Sequence, residues 1–338
     1  MYYIENLRIF VLINCNIMKG NLSPVIVFAY NRLEHLCQTI AALQKNELAM
    51  ESTVYIFCDG PKENSTPEQI SQVHSVQEYA DSVKEFGKVI VEKAKVNKGL
   101  ANSVIYGVTK VIKEYGKAII VEDDILTHPY FLRFMNQALD FYAEEKNIFT
   151  IGAFTENIKI PDDYAYDVFV VPRVESWGWA TWADRWLSAQ WDISTYPALR
   201  NKDRADIMRL CKGGDDFWPM LQNQALGKVD SWAVRWQYNM SRAGKLCLRP
   251  SYTLVRNIGL DGTGVHCDAS ESGMASSIPY YNKDKYDITL VKDIQENIII
   301  SNNLREYFAC PPRPPFLERK RRQWRHIIKK ISAIIQKH

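Results

Sequence analysis

The stretch that decides the fold is KAIIVEDDI, residues Lys117–Ile125. Its near-continuous apolar run predicts a strand that is buried on both faces. The strand ends on three consecutive acids, Glu122, Asp123 and Asp124. Crowded carboxylates at the tip of a buried strand are costly unless a cation lies beside them. Carboxylate oxygens suit Mg²⁺ or Mn²⁺, and open α/β sheets bind ligands at such strand ends. The pattern favours a metal–diphosphate site, and the alternative is a solvated loop start with a helix-capping Asp.

Strand and helix patterns alternate regularly from Ser23 onward. Before the segment above, three strands are predicted at Pro24–Tyr30, Thr53–Gly60 and Lys88–Ala94. Between them we predict helices over residues 33–45, 66–86 and 100–115, the second opened by a capping box of Thr66 and Gln69. A helix at Phe131–Glu145 and a strand at Ile148–Phe154 follow, and the regular alternation then stops, with further helices around Ala205–Leu210 and Trp232–Arg242. The expected fold is α/β, a Rossmann-like, mostly parallel sheet with helices on both faces.

We divide the chain into three parts. Residues 1–22 form an N-terminal extension, in which Arg8–Met18 is either a weak anchor or a peripheral strand, unless the natural start is Met18. The main domain spans 23–309, with one half over 23–155 and the other over 156–309. Residues 310–338 begin with a stiff Pro-rich hinge, CPPRPPF, and continue as a basic amphipathic tail.

The charge is distributed unevenly. The tail from Leu317 to His338 carries eight Lys or Arg against the single Glu318, a net charge of +7. The remaining chain has 34 basic and 38 acidic residues, a net charge of −4, which argues against nucleic-acid binding. A basic amphipathic helix is typical of binding to an anionic membrane surface; the alternative is a helix docked on protein.

Several classes are disfavoured by what the sequence lacks. Its seven cysteines form no CxxC pair and its six histidines no HxxxH or HExxH spacing, which argues against a zinc site and a disulfide scaffold. A reducing cytosol fits this usage best. No GxGxxG motif follows the first strand, which counts against a dinucleotide oxidoreductase. No run of 18 or more apolar residues is available to span a bilayer.

Polar residues stand at the ends of the first four predicted strands. They are Tyr30-Asn31-Arg32, Cys58-Asp59-Gly60, Asn97-Lys98-Gly99 and Glu122-Asp123-Asp124. In a parallel sheet these ends converge on one edge, and together they offer groups for a base or ribose, a cation for phosphate and acids for a metal. Such a set suits a nucleotide-sugar donor, because a divalent ion stabilises the departing diphosphate and a base accepts the proton of the incoming hydroxyl.

These motifs resemble the glycosyltransferase A-type fold, in particular the N-acetylglucosaminyltransferase I family and its bacterial relatives. The resemblance covers roughly Pro24 to Cys267. It implies that Asp124 binds Mn²⁺, with Glu122 and Asp123 beside the donor, and that the donor is a UDP-sugar. It also implies nucleotide contacts from Asn31-Arg32 and from Asp59. If Asp124 pointed away from any cleft, or were buried in a bridge to an arginine, its assignment would fail.

The second half of the chain resembles the family at four further motifs. They are Ser176-Trp177-Gly178-Trp179, Asp230-Ser231-Trp232, Arg249-Pro250 and Gly264-Val265-His266. The resemblance implies that Asp230 is the catalytic base; the alternative is that Asp230 caps the helix starting at Trp232. His266 is either a diphosphate ligand or a satisfied loop histidine.

Other residues keep two interpretations. Trp177 and Trp179 are either a sugar platform or core, whereas Trp182 is assigned to the core. Asp215 and Asp216 are interpreted as loop and cap residues, with contact to the acceptor sugar as the alternative.

The sequence thus predicts a metal-dependent, inverting glycosyltransferase of bacterial surface polysaccharide assembly. Its acceptor is expected to be a lipid-linked saccharide, and the enzyme to be cytoplasmic, at the inner face of the cytoplasmic membrane. A sugar nucleotidyltransferase is disfavoured because AYNRLEHL lacks a Gly-rich basic loop. A non-catalytic carbohydrate-binding protein of the same fold is the remaining alternative.

Overall fold

The computed structural model describes residues 22–260 and 280–309. The strands of these ranges are β1 (Val25–Ala29), β2 (Thr53–Cys58), β3 (Lys88–Lys93), β4 (Lys117–Glu122), β5 (Ile125–Thr127), β6 (Ile148–Gly152), β7 (Val168–Val171), β8 (Trp179–Trp182), β9 (Leu246–Pro250) and β10 (Val255–Asn257). The α-helices are α1 (Leu33–Gln44), α2 (Pro67–Ser82), α3 (Leu100–Tyr115), α4 (Phe131–Phe141), α5 (Ala183–Trp186), α6 (Pro197–Arg200), α7 (Arg204–Leu210), α8 (Phe217–Ala225), α9 (Trp232–Arg242) and α10 (Ile298–Tyr307).

Eight of the described strands form one sheet in the order β3-β2-β1-β4-β8-β6-β9-β7. The first four are mutually parallel, because β1 pairs in parallel with β2 and β4, and β2 with β3. Ala29 pairs with Cys58, and Phe28 with Glu122, so the carboxyl ends of these strands lie side by side. The mostly parallel sheet predicted from the sequence is confirmed, and so is its convergent edge.

Helices cover both faces of the sheet. Along β1, Val25, Val27 and Ala29 pack into the core that includes α1, α2 and α4. The alternate residues Ile26 and Phe28 pack into a second core with α3 and α9. All five residues of β1 are buried, as a continuous apolar run predicts for a central parallel strand.

The second half of the chain extends the same sheet. Strand β8 runs antiparallel between β4 and β6, β9 is parallel to β6, and β7 is antiparallel to β9. The sequence pattern did not predict β7, β8 or β9. Two of them are only four residues long, too short for periodicity to distinguish them from buried loop.

Several boundaries differ from the prediction. The stretch Lys117–Ile125 is not one strand, since β4 ends at Glu122, a turn follows, and β5 then pairs antiparallel with β10. Helix α4 ends at Phe141, four residues early, and α2 ends at Ser82. The capping box that opens α2 is confirmed.

The predicted halves 23–155 and 156–309 stay a prediction, although strands from both join one sheet. The Pro-rich hinge, the basic tail and nearly all of the N-terminal extension lie outside the described residues. Of the helices that the structure describes, none has both the length and the apolar content to cross a membrane.

Candidate functional site

The acid cluster consists of Glu122, Asp123 and Asp124. It lies between the ends of β1 and β4, where the strand order of the sheet reverses. Asp123 and Asp124 form the turn after β4 and are buried, with 4% and 6% of their surface exposed. Arg32, directly before α1, extends its Nη2 to both: it donates to Asp123 Oδ1 and, at 2.9 Å, to Asp124 Oδ2. The structure therefore brings Arg32 into direct contact with two of the three predicted acids, Asp123 and Asp124.

The cluster has more negative than positive charge. Burial, followed by repulsion from Asp124 and Asp123, raises the pKa of Glu122 to about 8. Burial also raises the pKa of Asp123 to about 6, although Arg32 opposes the rise. The two aspartates in turn hold the pKa of Arg32 above its ordinary value, in spite of its burial. A single guanidinium thus leaves these carboxylates short of positive charge, and a further cation would stabilise them.

The Arg32 bridge bears directly on the metal assignment. A buried salt bridge between Asp124 and an arginine counts against Asp124 as a metal ligand. By that criterion alone, the metal assignment would fail. However, the bridge uses only Asp124 Oδ2; the other oxygen, Oδ1, is buried without a hydrogen-bond partner in the described part of the protein. An unpaired buried carboxylate oxygen is a chemically suitable ligand for Mg²⁺ or Mn²⁺.

The side chains of residues 22–260 and 280–309 include no ready-made group of three or more His, Cys, Asp or Glu for a metal. That does not exclude Mg²⁺, which proteins often hold with one or two carboxylates while substrate phosphates and water complete its shell. The residues present fit a cation held by Asp124 together with a diphosphate. They do not fit a site built from protein ligands alone.

Asp59, at the end of β2, is buried and shapes the neighbouring loop. Its Oδ1 accepts hydrogen bonds from the backbone amides of Gly60 and Lys98, each at 2.9 Å, and its Oδ2 accepts one from Gly99 at 3.1 Å. The side chain of Asn97 is also committed locally, because Nδ2 donates to the Gly60 carbonyl at 3.0 Å. These bonds tie the end of β2 to the loop before α3, and nucleotide contacts from Asp59 and Asn97 stay predictions.

Lys98 and Tyr30 flank this loop. The Lys98 ammonium lies 3.9 Å from the centre of the Tyr106 ring. Tyr30 is half-buried, and burial and the nearby Asp59 raise its pKa. Beside them is a cavity of about 20 Å³, room for about one water molecule, lined by Phe57, Cys58, Asp59, Glu92, Ala94, Lys98, Ser103 and Tyr106. Asn31, the remaining predicted residue of the first strand end, is half-buried next to Arg32.

Asp230 reaches the same edge from the second half of the chain. A Cβ atom built on Gly99 would lie 3.2 Å from Asp230 Oδ2, so the residue borders the loop that Asp59 holds. Asp230 is half-exposed and forms an ion pair with Arg235 at 2.9 Å. Helix α9 begins at Trp232, as predicted, but its cap is Ser231, whose hydroxyl accepts from the Val234 amide. The capping alternative for Asp230 is therefore wrong.

Trp232 connects Asp230 to the acid cluster. Its indole Nε1 donates to Glu122 Oε1 at 3.4 Å, and its ring stacks on Trp179 with centroids 4.8 Å apart. Trp179 is fully buried and Trp182 nearly so, which assigns both to the core. Trp177 is half-buried, with its ring 4.5 Å from that of Phe154. A sugar-binding role for Trp177 stays a prediction.

The remaining predicted residues lie elsewhere. Asp216 forms a two-pronged ion pair with Arg173, and Asp215 pairs with Arg305 at 2.9 Å, so both serve structural contacts. His266 lies outside the described residues.

Sequence reasoning missed two features, the acidic partners of Arg249 and the approach of Gly259 to Asp124. Arg249 is fully buried, 2.5 Å from Glu156 and 3.6 Å from Glu175. Glu175 in turn accepts the backbone amides of Ser176 and Trp177, and so fixes the start of the Trp-rich segment. The Arg249-Pro250 motif marked the arginine, but no sequence signal identified its two acidic partners. The second feature is the close approach of Gly259 to Asp124, for which a lone glycine in a loop gives no signal.

No protein-family model matches this sequence. No curated protein matches it either. Among solved structures it is similar to TarS 1–349 of S. aureus, at 13% identity over 76% of this chain and 70% of that one, with a TM-score of 0.36. The chain spans only 25% of a longer TarS structure.

Two further similar structures are sugar transferases by name. The mannosyltransferase PcManGT of Pyrobaculum calidifontis, in complex with GDP-Man and Mn²⁺, is 12% identical over 67% of this chain and 75% of that one, with a TM-score of 0.34. The galactosyltransferase LgtC, in complex with donor and acceptor sugar analogs, is 11% identical over 77% of this chain and 98% of that one, with a TM-score of 0.37. At such values the likeness is distant.

Proposed function

We propose that this chain is a metal-dependent glycosyltransferase that moves a sugar from a nucleotide-diphosphate donor to a saccharide acceptor. The observation that carries the proposal is the meeting of three groups at one sheet edge. The Arg32–Asp124 cluster offers charges for a diphosphate and its cation. The loop before α3, whose amides Asp59 binds, lies at the same edge of the sheet. Asp230 borders that loop. Ligands of open α/β sheets bind at this kind of edge.

The donor side is supported by the charges of the cluster. A divalent cation held by Asp124 would stabilise the negative charge that gathers on the diphosphate as the glycosidic bond breaks. Arg32 has a planar guanidinium suited to phosphate oxygens, and Lys98, in the loop after β3, adds a second positive charge at the same edge of the sheet. Asp123 contributes negative charge that favours the cation, whereas the raised pKa of Glu122 leaves it largely protonated near neutral pH, and we assign both supporting rather than ligating roles.

The acceptor side is supported by the exposure of Asp230. Its side chain is 48% exposed, so an acceptor hydroxyl can reach it, whereas the carboxylates at the end of β4 are largely covered. A base opposite a departing diphosphate allows one direct displacement, with inversion at the anomeric carbon. Arg235 Nη2 donates to Asp230 Oδ1 at 2.9 Å and so orients the carboxylate for this role.

We further propose UDP as the donor nucleotide and a lipid-linked saccharide of bacterial surface polysaccharide as the acceptor. The enzyme would work in the cytoplasm, bound to the inner face of the membrane through its basic tail. These finer assignments derive from the sequence resemblance and from the charge of residues 317–338. Deleting the chain after Phe316 should reduce sedimentation with anionic vesicles and leave transfer to a soluble acceptor intact. Unchanged sedimentation would remove the membrane assignment.

The central test compares two aspartate variants. Asp124→Ala should abolish the metal-dependent release of UDP from a UDP-sugar, and Asp230→Ala should keep donor binding while losing transfer. Asp215→Ala, which removes an acid from an exposed ion pair, is the matched control and should behave as wild type. Loss of donor binding in Asp230→Ala would refute its role as base.

A panel of nucleotide sugars with Mn²⁺ would identify the donor, because ligands that bind the native state raise its melting temperature. Stabilisation without any turnover would favour a non-catalytic sugar-binding protein. Release of pyrophosphate from a nucleoside triphosphate and a sugar phosphate would favour a nucleotidyltransferase. Either outcome would overturn the proposed transfer reaction.

A further inference from the structure

Arg32 makes the contacts to the acid cluster that a bound cation would also make. Its Nη2 alone serves Asp123 Oδ1 and Asp124 Oδ2, while its Nη1 is buried without a hydrogen-bond partner among the described residues. Nη2 lies 2.9 Å from Asp124 Oδ2, and Mg²⁺ binds its oxygen ligands at about 2.0–2.1 Å. A guanidinium and a divalent cation on one carboxylate would lie within a few ångströms and repel each other.

The backbone of the acidic turn is held by contacts that do not involve Arg32. The Thr39 hydroxyl donates to the Asp123 carbonyl at 2.7 Å, and the Ile258 amide donates to the Asp124 carbonyl at 2.9 Å. The acids therefore keep their place whichever cation neutralises them. Arg32 is the more accessible partner, since its side chain is 20% exposed against 8% for Asp124.

We propose that Arg32 competes with the divalent cation for Asp124 and pairs with the donor diphosphate when the cation binds. This inference rests on the proposed function, because it requires a cation and a diphosphate at this edge. Arg32 serves as internal counter-ion before binding and as phosphate ligand after it, since its planar fork matches phosphate oxygens as well as carboxylates. It follows that cation and nucleotide bind cooperatively: the diphosphate offers Arg32 a new partner, and so lowers the cost of displacing it from Asp124.

The inference is tested by titrating Mn²⁺ alone and Mn²⁺ with UDP, by calorimetry or by the loss of the free-ion electron paramagnetic resonance signal. Arg32→Met keeps much of the side-chain length and removes the charge. It should bind Mn²⁺ alone about tenfold more tightly than wild type, and UDP should strengthen its Mn²⁺ binding by about tenfold less, within the usual range of coupling between sites. Arg133→Met, which breaks an exposed pair with Glu47, is the matched control and should change neither value.

Arg32→Lys provides a second variant if the methionine variant does not fold by circular dichroism. It keeps one positive charge without the fork, so it should still compete with Mn²⁺ but show weaker coupling to UDP. Equal or weaker Mn²⁺ binding in Arg32→Met, with wild-type binding intact, would overturn the competition and leave the proposed function standing. Absence of Mn²⁺ binding in wild type, with and without UDP, would instead overturn the metal site of the proposed function.

Discussion

Gly259→Ala is a steric test of the acid cluster. A Cβ atom on Gly259 would lie 2.1 Å from Asp124 Oδ2 and 2.9 Å from Arg32 Nη1. Real Cβ atoms essentially never approach another atom closer than 3.0 Å, so the carboxylate oxygen must move by at least 0.9 Å. The backbone of Gly259 is outside the left-handed region, and the substitution therefore strains the contact rather than the chain.

The expected effect on function is large, and that on stability is a net loss of about 0.5–2.6 kcal/mol. Displacing a reacting or ligating group by about 1 Å can cost about 10²-fold in rate, and Mg²⁺ tolerates little departure from its octahedral geometry. We therefore expect the metal-dependent turnover of the donor to fall by about 100-fold. The weakened Asp124–Arg32 hydrogen bond costs about 1.5–3 kcal/mol, and the reduced freedom of the unfolded chain returns about 0.4–1 kcal/mol.

Turnover of a UDP-sugar, Mn²⁺ affinity and the free energy of unfolding in urea measure these effects. Gly244→Ala is the control. Gly244 follows the end of α9 that is remote from Asp230, and a Cβ atom added to it would meet no atom within 4 Å. Its φ of +64° means that the substitution strains only the backbone. It should cost about 1–2 kcal/mol of stability without loss of turnover. Wild-type turnover and Mn²⁺ affinity in Gly259→Ala would refute the reasoning that the position of Asp124 matters for function.

Three further changes test the surroundings of the site. Gly99→Ala places a side chain at a φ of +79° and a ψ of 155°, which should lower the free energy of unfolding in urea by about 1–3 kcal/mol. It should also lower turnover by displacing Asp230. Unchanged stability would contradict the backbone strain. Arg249→Met leaves the buried Glu156 and Glu175 without their cation and should lower the free energy of unfolding in urea by about 3–5 kcal/mol. A loss below about 1 kcal/mol would show that these ion pairs are not essential for stability. Glu122→Gln tests a pH dependence. Because the pKa of Glu122 is raised to about 8, the native state holds the proton more tightly than the unfolded chain, so wild type should lose stability, on the order of 3 kcal/mol, as pH rises from 5 to 8. The glutamine variant should show a shallower slope, since Asp123 still titrates in this range, and an equal slope in both proteins would locate the titration elsewhere.

The parallel half of the fold could be predicted because each of its signals is local. An apolar run long enough to be buried on both faces marks β1, β2 and β4, and the capping box marks the start of α2. Parallel pairing then fixes where the strand ends meet, which is why Arg32, Asp59 and the acids after β4 lie at one edge as predicted.

The remaining sheet could not be predicted in the same way. Strand β8 is four residues of WATW whose place between β4 and β6 depends on pairing partners far away in the sequence. Its Trp179 was open to two interpretations, because an aromatic-rich segment is typical of sugar platforms and of cores alike. The structure distinguishes them by burial: Trp179 is fully buried in a cluster of indole rings, stacked on Trp232 and tilted against Trp186 and Trp236.

The acid cluster shows where electrostatic reasoning from sequence stops. Three carboxylates at a strand tip predict a nearby positive charge, and that charge can be a metal ion or a side chain of the same protein. Arg32 supplies it from 91 residues away along the chain. A sequence pattern does not separate the two sources, because both lower the same repulsion. One guanidinium does not balance these acids, however, and Asp124 Oδ1 stays unpaired among the described residues. The charge that is left over is the physical reason for testing a divalent cation at this edge.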